Sequence, residues 1–97
     1  MKYAFLRFVL FLISALYHGQ SLTVQVFDSI RNVPLSEATV YCVEYDQTVL
    51  TNANGQSVFP LNENSNLTFK VIALGYRSAF FTVLQGQNFV QVRALPV

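Results

Sequence analysis

From Leu22 onward, apolar and polar residues alternate along the chain with a period of two. Successive side chains of a β-strand point to opposite faces of a sheet, so this alternation predicts strands with one buried face each. The run from Leu22 to Val26 shows the pattern most clearly. Beyond residue 20 we find no stretch with the 3.6-residue period of an amphipathic helix.

The alternating runs are separated by residues that favour turns, and each run has the length of a short strand. Predicted strands cover residues 22–26, 38–45, 48–51, 56–61, 67–71, 78–84 and 89–95. Asn54 and Gly55 form a dipeptide favoured where φ is positive, so residues 48–61 are predicted to form a hairpin. Gly75 and Tyr76 are interpreted as a bend with an anchoring ring. Seven short strands at this spacing predict a small all-β sandwich.

The first 20 residues have a different pattern from the rest of the chain. Fourteen of them are hydrophobic; Lys2 and Arg7 come first, and an apolar run over residues 8–17 follows. This is the layout of a secretory signal peptide, and the run has about half of the ~20 apolar residues that a membrane-spanning helix needs. We therefore predict a signal peptide over residues 1–20 and one domain over residues 21–97. The junction lacks a typical cleavage pattern, so a retained signal anchor is the alternative.

Removing that segment changes the chemistry that the chain offers. The whole chain of 97 residues has a formal charge of +1, but residues 21–97 carry four cationic and five acidic side chains. No basic patch for nucleic acid is left. The only histidine, His18, lies at the junction, and Lys70 is the only lysine beyond it. We expect no catalytic residues, no metal site and no cofactor, because a nucleophile would lack a base and zinc would lack ligands.

Two groups of side chains are assigned from the pattern alone. Cys42 occupies an inward position of the second predicted strand, which favours a buried, unreactive side chain over an intermolecular disulfide. Tyr41, Tyr45, Phe80 and Phe81 are the first candidates for an exposed contact surface.

Several short motifs, taken together, resemble the carboxypeptidase regulatory-like domain. They are Asp28 after the first strand, Pro34-Leu35, Ala38-x-Val40, the segment Thr51-Asn52-Ala53-Asn54-Gly55, Leu67-x-Phe69 and Leu74-Gly75-Tyr76. Four positions depart from the family pattern. The glycine before the Pro-Leu pair has no counterpart around Asn32 and Val33, and Glu37 replaces a second turn glycine. Asn52 replaces an aspartate, and Val24 or a neighbour replaces the glycine of the first strand. The resemblance implies a seven-stranded, Greek-key, transthyretin-like β-sandwich.

The same resemblance implies a function. Such a domain directly after a signal peptide is similar to the N-terminal extension of TonB-dependent outer-membrane nutrient receptors, in which plug and barrel domains follow it. It implies a non-catalytic accessory module in the periplasm or outer membrane. Its partners would be another protein or the missing plug and barrel, and it would associate with the membrane only through those domains or an uncleaved signal. The alternatives are a free-standing secreted binding or adhesin-like structural module and, last, an enzyme subunit.

Overall fold

A computed structural model describes residues 21–60 and 65–97 of the chain. These residues form seven strands: β1 (Ser21–Asp28), β2 (Thr39–Cys42), β3 (Gln47–Leu50), β4 (Gln56–Pro60), β5 (Leu67–Ile72), β6 (Ala79–Val83) and β7 (Phe89–Ala94). The all-β prediction and the number of strands are confirmed. The predicted signal peptide over residues 1–20 lies outside the described residues.

The strands form two sheets that face each other as a sandwich. One sheet has three strands in the order β4-β1-β7, and the other has four in the order β3-β2-β5-β6. Neighbouring strands are antiparallel except β1 and β7, which run parallel with Thr23 opposite Phe89. Because β1 lies between β4 and β7, the start and the end of the described chain meet in one sheet.

Alternation along the strands places the core between the sheets. In β1, Leu22, Val24 and Val26 are fully buried, while the residues between them are half-buried. Phe59 of β4 meets Phe69 of β5 across the sandwich with ring centroids 5.1 Å apart and planes at 70°, an edge-to-face arrangement that stabilises aromatic pairs. The buried core consists of Leu22, Val24, Val26, Ala38, Val40, Cys42, Phe59, Leu67, Phe69, Val71, Val83, Val92 and Ala94.

The hairpin predicted over residues 48–61 is wrong, because its two strands belong to different sheets. β3 pairs with β2 and β4 pairs with β1. The turn between them is tight, with the Gly55 N–H donating to the Asn52 carbonyl over 2.9 Å. Gly55 has a φ of 75°, whereas Asn54 does not adopt the positive φ that a two-residue hairpin turn requires.

Close packing of this turn against β1 explains why the chain changes sheets there. The Val26 N–H donates to the Gly55 carbonyl over 2.8 Å. A Cβ on Gly55 would lie 2.6 Å from the Val26 carbonyl oxygen. The absence of a side chain at Gly55 therefore lets the turn reach β1, and β4 continues along that strand.

β2 is shorter than predicted. It ends at Cys42, and residues 43–46 form a turn in which the Asp46 N–H donates to the Val43 carbonyl over 3.2 Å. Asp46 has a φ of 49°, a left-handed conformation that aspartate tolerates better than most residues. The sequence pattern predicted that Tyr41 and Tyr45 share one face of a strand. This turn ends the alternation, so the two side chains do not share a face.

Candidate functional site

An open cavity of about 340 Å³ lies at one end of the sandwich. It is formed where β1 ends, where the chain bends after β5, and where it continues past β7. Its lining residues are Asp28, Ile30, Arg31, Gly75, Tyr76 and Pro96. This cavity is one candidate site, since it combines a carboxylate and a guanidinium with apolar walls.

Asp28 is the most constrained polar residue in the cavity. Only 1% of its surface is exposed, and its Oδ1 accepts hydrogen bonds from the N–H groups of Ile30 and Arg31 at 2.7 and 2.8 Å. The Tyr76 hydroxyl donates to Oδ2 over 2.6 Å. This hydrogen bond, followed by the one from the Arg31 N–H, lowers the pKa of Asp28 below its usual value.

Tyr76 is an anchoring residue, and the bend predicted at Gly75 and Tyr76 is present. Gly75 has a φ of 85°, and the Tyr76 ring packs against the core. The hydrogen bond to Asp28 raises the pKa of Tyr76, because the carboxylate disfavours a phenolate beside it. Asp28 and Tyr76 thus tie the end of β1 to the bend after β5, 48 residues further along the chain.

A second candidate site is the outer face of the four-stranded sheet. The strand register places Tyr41 opposite Lys70, and Lys70 opposite Phe80, in one row across β2, β5 and β6. A neighbouring row carries Leu50 and Ile72 on either side of Thr39. We call these six residues the outer face. Their inward-pointing neighbours form the core, so the apolar side chains of the outer face are available to a partner.

The row through Lys70 combines one charge with two aromatic rings. The Nζ of Lys70 lies 5.3 Å from the centroid of the Phe80 ring, a geometry that favours a cation–π interaction. Phe80 is 68% exposed. The Tyr41 hydroxyl donates to Asp46 Oδ1 over 2.7 Å, and this bond raises the pKa of Tyr41. Exposed aromatic side chains of this kind are enriched at protein interfaces.

The four aromatic residues predicted as a contact surface do not lie together. Tyr41 and Phe80 belong to the outer face, but Phe81 points inward and stacks on Phe69 with centroids 5.2 Å apart. Tyr45 lies in the turn after β2 and packs partly buried against the core. Phe81 and Tyr45 are therefore not part of an exposed contact surface. Strand parity directs the Phe81 ring inward, and because β2 ends early, the Tyr45 ring packs against the core.

Three buried side chains that could act as nucleophiles have structural roles: Cys42, Thr51 and Ser57. Cys42 is a free thiol and fully buried, as predicted, and burial raises its pKa. The Thr51 hydroxyl accepts from the Ala38 N–H at 2.9 Å and donates to the Leu35 carbonyl at 2.7 Å. The buried Ser57 hydroxyl donates to the Val24 carbonyl over 3.4 Å.

Within residues 21–60 and 65–97, no three histidine, cysteine, aspartate or glutamate side chains lie close enough to hold a metal ion. In the same part of the chain, no helix has the length and hydrophobicity needed to cross a membrane.

Two sequence comparisons give no relative of this chain. The sequence matches no protein-family model, and a search of curated proteins gives no match. The resemblance to the carboxypeptidase regulatory-like domain therefore stays a prediction based on the short motifs.

Sequence reasoning missed the part that Lys70 plays in the outer face and the part that Arg31 and Pro96 play in the cavity. Lys70 occupies a polar step of the alternation in residues 67–71. This position indicates a solvent-facing side chain but not its neighbours across the sheet, because those depend on register. Arg31 and Pro96 come together only because β1 and β7 run parallel and end side by side.

Proposed function

We propose that this chain is a non-catalytic, exported accessory module that works by contact with another protein. In its specific form, the module is the N-terminal extension, or a truncated or free-standing copy, of a TonB-dependent outer-membrane nutrient receptor. The motif resemblance and the apolar N-terminal segment support this form. The alternative is a free-standing secreted binding or adhesin-like structural module.

The observation that carries the proposal is the outer face. Its members Phe80, Leu50 and Ile72 are 68%, 59% and 44% exposed, and Lys70 is the one charged residue among its six members. Interfaces are built from such aromatic and aliphatic anchors with few charges at the centre. A sheet face of this composition is suited to packing against a partner surface.

Site-specific photocrosslinking in the organism that makes the protein tests the contact. A photoreactive residue at Thr48, which lies beside Tyr41 in the register, is expected to capture an outer-membrane receptor polypeptide. The matched control is the same residue at Val58, which is 55% exposed on the other sheet. Equal capture from both positions, or none from Thr48, would contradict the proposal.

The coding DNA beyond Val97 distinguishes the two forms. A plug-like sequence in frame supports the receptor extension, whereas a stop codon with no plug-like sequence in any frame supports a free-standing copy or module. Expression of residues 21–97 gives a second criterion. A cooperative, monodisperse product favours a self-sufficient module, and an aggregated product favours a domain that needs neighbouring domains.

A further inference from the structure

Strand β6 lies at an edge of the four-stranded sheet, so half of its backbone groups point away from β5. Antiparallel strands alternate between residue pairs that exchange hydrogen bonds and pairs that do not. The Val43 N–H donates to the Thr68 carbonyl over 2.9 Å, which shows that Thr68 turns its backbone toward β2. Its neighbours Leu67 and Phe69 therefore turn theirs toward β6.

The register of β5 and β6 then determines which backbone groups lie at the open edge. Leu67 is opposite Val83 and Phe69 is opposite Phe81, so the odd-numbered residues of β6 bond to β5. The N–H and C=O groups of Phe80 and Thr82 point outward, and within the described residues none of these four groups has a hydrogen-bond partner.

Both ends of this open segment are closed by the protein itself. At one end, the Leu84 N–H donates to Gln87 Oε1 over 2.8 Å, and the Gln87 N–H donates to the Leu84 carbonyl over 3.1 Å. At the other end, the Arg77 N–H donates to the Leu95 carbonyl over 2.8 Å. The outward groups of β6 therefore lie within residues 79–83.

β6 also lacks the features that protect the other edges. Natural proteins guard edge strands with charged residues, prolines or very short strands. β4 ends in Pro60, β7 carries Arg93, and β3 has four residues, whereas β6 has the sequence AFFTV with neither charge nor proline. Phe80, on this unguarded strand, is also one of the most exposed aromatic side chains.

We propose that two copies of this chain pair through their β6 edges, antiparallel and centred on Phe81. In this register, Phe80 of each copy exchanges two hydrogen bonds with Thr82 of the other, which satisfies all four outward groups in both copies. The strand is uncharged, so self-pairing brings no like charges together. The two four-stranded sheets become one continuous sheet, and the two exposed Phe80 rings become diagonal neighbours.

A second copy fits the edge better than an unrelated strand for a geometric reason. The open segment is short and closed at both ends, and a second copy presents an equally short, uncharged strand whose outward groups pair with it about a twofold axis at Phe81. The proposal goes beyond the accessory function and does not depend on it, since pairing through β6 leaves the outer-face residues of β2, β3 and β5 away from the interface and places only Phe80 beside the partner copy. The paired edges are short, so we expect association only at high protein concentration.

Disulfide trapping tests the register. Phe80→Cys and Thr82→Cys are made as separate variants, and each is oxidised alone and mixed with the other. Directly opposed residues in a hydrogen-bonded pair have Cα atoms about 5.5 Å apart, within disulfide range, whereas diagonal neighbours are about 7–8 Å apart. We expect a covalent dimer in the mixture and little in either variant alone. Buried Cys42 does not compete.

Analytical ultracentrifugation of the unmodified protein gives the second readout. We expect reversible dimerisation that Phe80→Lys abolishes and that Leu74→Lys, at a fully exposed position in a turn, leaves unchanged. Circular dichroism confirms that both variants are folded. A protein that stays monomeric at millimolar concentration, or cross-linking as strong within one variant as in the mixture, overturns the proposal.

Discussion

Asp28 shows how one side chain can close the end of a strand. Its carboxylate accepts three hydrogen bonds, two from the turn that follows β1 and one from Tyr76. Charged acceptors make stronger hydrogen bonds than neutral ones, and an almost fully buried carboxylate needs them to stay ionised. The turn after β1 and the bend after β5 are therefore coupled through the charge of Asp28.

The pH dependence of stability follows from this coupling. The pKa of Asp28 is lowered from its usual value of 3.8 in the folded protein, so the unfolded chain takes up the proton first. The stabilisation that ionised Asp28 contributes is fully present at pH values above its pKa in the unfolded chain. It is lost as the pH falls through the lower pKa of Asp28 in the folded protein. Urea unfolding from pH 7 to pH 2 measures the loss.

Tyr76→Phe removes the largest cause of the lowered pKa, so we expect the variant to be less stable at neutral pH and to lose less stability on acidification. Tyr45→Phe is the matched control, because the Tyr45 hydroxyl makes no hydrogen bond to the described residues and its ring also packs on the core. Parallel acid profiles for the two variants would contradict the role given to Tyr76.

Gly55 offers a second prediction at the scale of one residue. Gly55→Ala combines a positive φ of 75° with a Cβ placed 2.6 Å from the Val26 carbonyl oxygen, so we expect it to cost more than ~1 kcal/mol in the free energy of unfolding. Gly86→Ala is the control: φ is 93°, but nothing lies within 4 Å of the added Cβ. Equal losses in denaturant unfolding would show that backbone strain alone, not the contact with β1, makes glycine necessary.

At the scale of the element, β6 is informative because two adjacent phenylalanines point in opposite directions. Phe81 stacks on the buried Phe69, and Phe80 lies over Lys70 on the other face. We expect Phe81→Ala to lower the free energy of unfolding by about 2–3 kcal/mol, because the ring is partly buried in the core. Phe80→Ala should change it by about 0.5 kcal/mol or less at dilute concentration. Similar losses for both would contradict the strand parity.

This pair also shows where sequence reasoning stops. Alternation predicted each strand, because one buried face imposes a period of two. Two aromatic residues in succession satisfy either parity, so only the pairing of β6 with β5 decides which one enters the core. The same limit explains the wrong hairpin: alternation identifies β3 and β4 as strands but contains no information about their partners. Of the candidate sites, the sequence identified Tyr41 and Phe80 but not the cavity, which residues distant in sequence create.

At the scale of the whole molecule, the parallel pairing of β1 with β7 dominates the topology. This pairing places Thr23 opposite Phe89. The three-stranded sheet is therefore complete only after the two ends of the described chain have come together. Folds rich in such long-range pairing fold in about milliseconds to seconds. We expect stopped-flow refolding in this range, and a microsecond folding phase that accounts for the full amplitude would contradict it.

The reactivity of the buried Cys42 thiol can be used to measure the stability of the folded protein. A thiol that lies wholly within the core reacts with a soluble reagent only when the sheets separate. The raised pKa of Cys42 also keeps the thiolate fraction low in the folded protein, which limits its reactivity there. Its rate of alkylation therefore counts opening events of the sandwich without any denaturant. The same measurement can be made on the purified protein and in the compartment where the cell keeps it, so stability in the two settings can be compared directly.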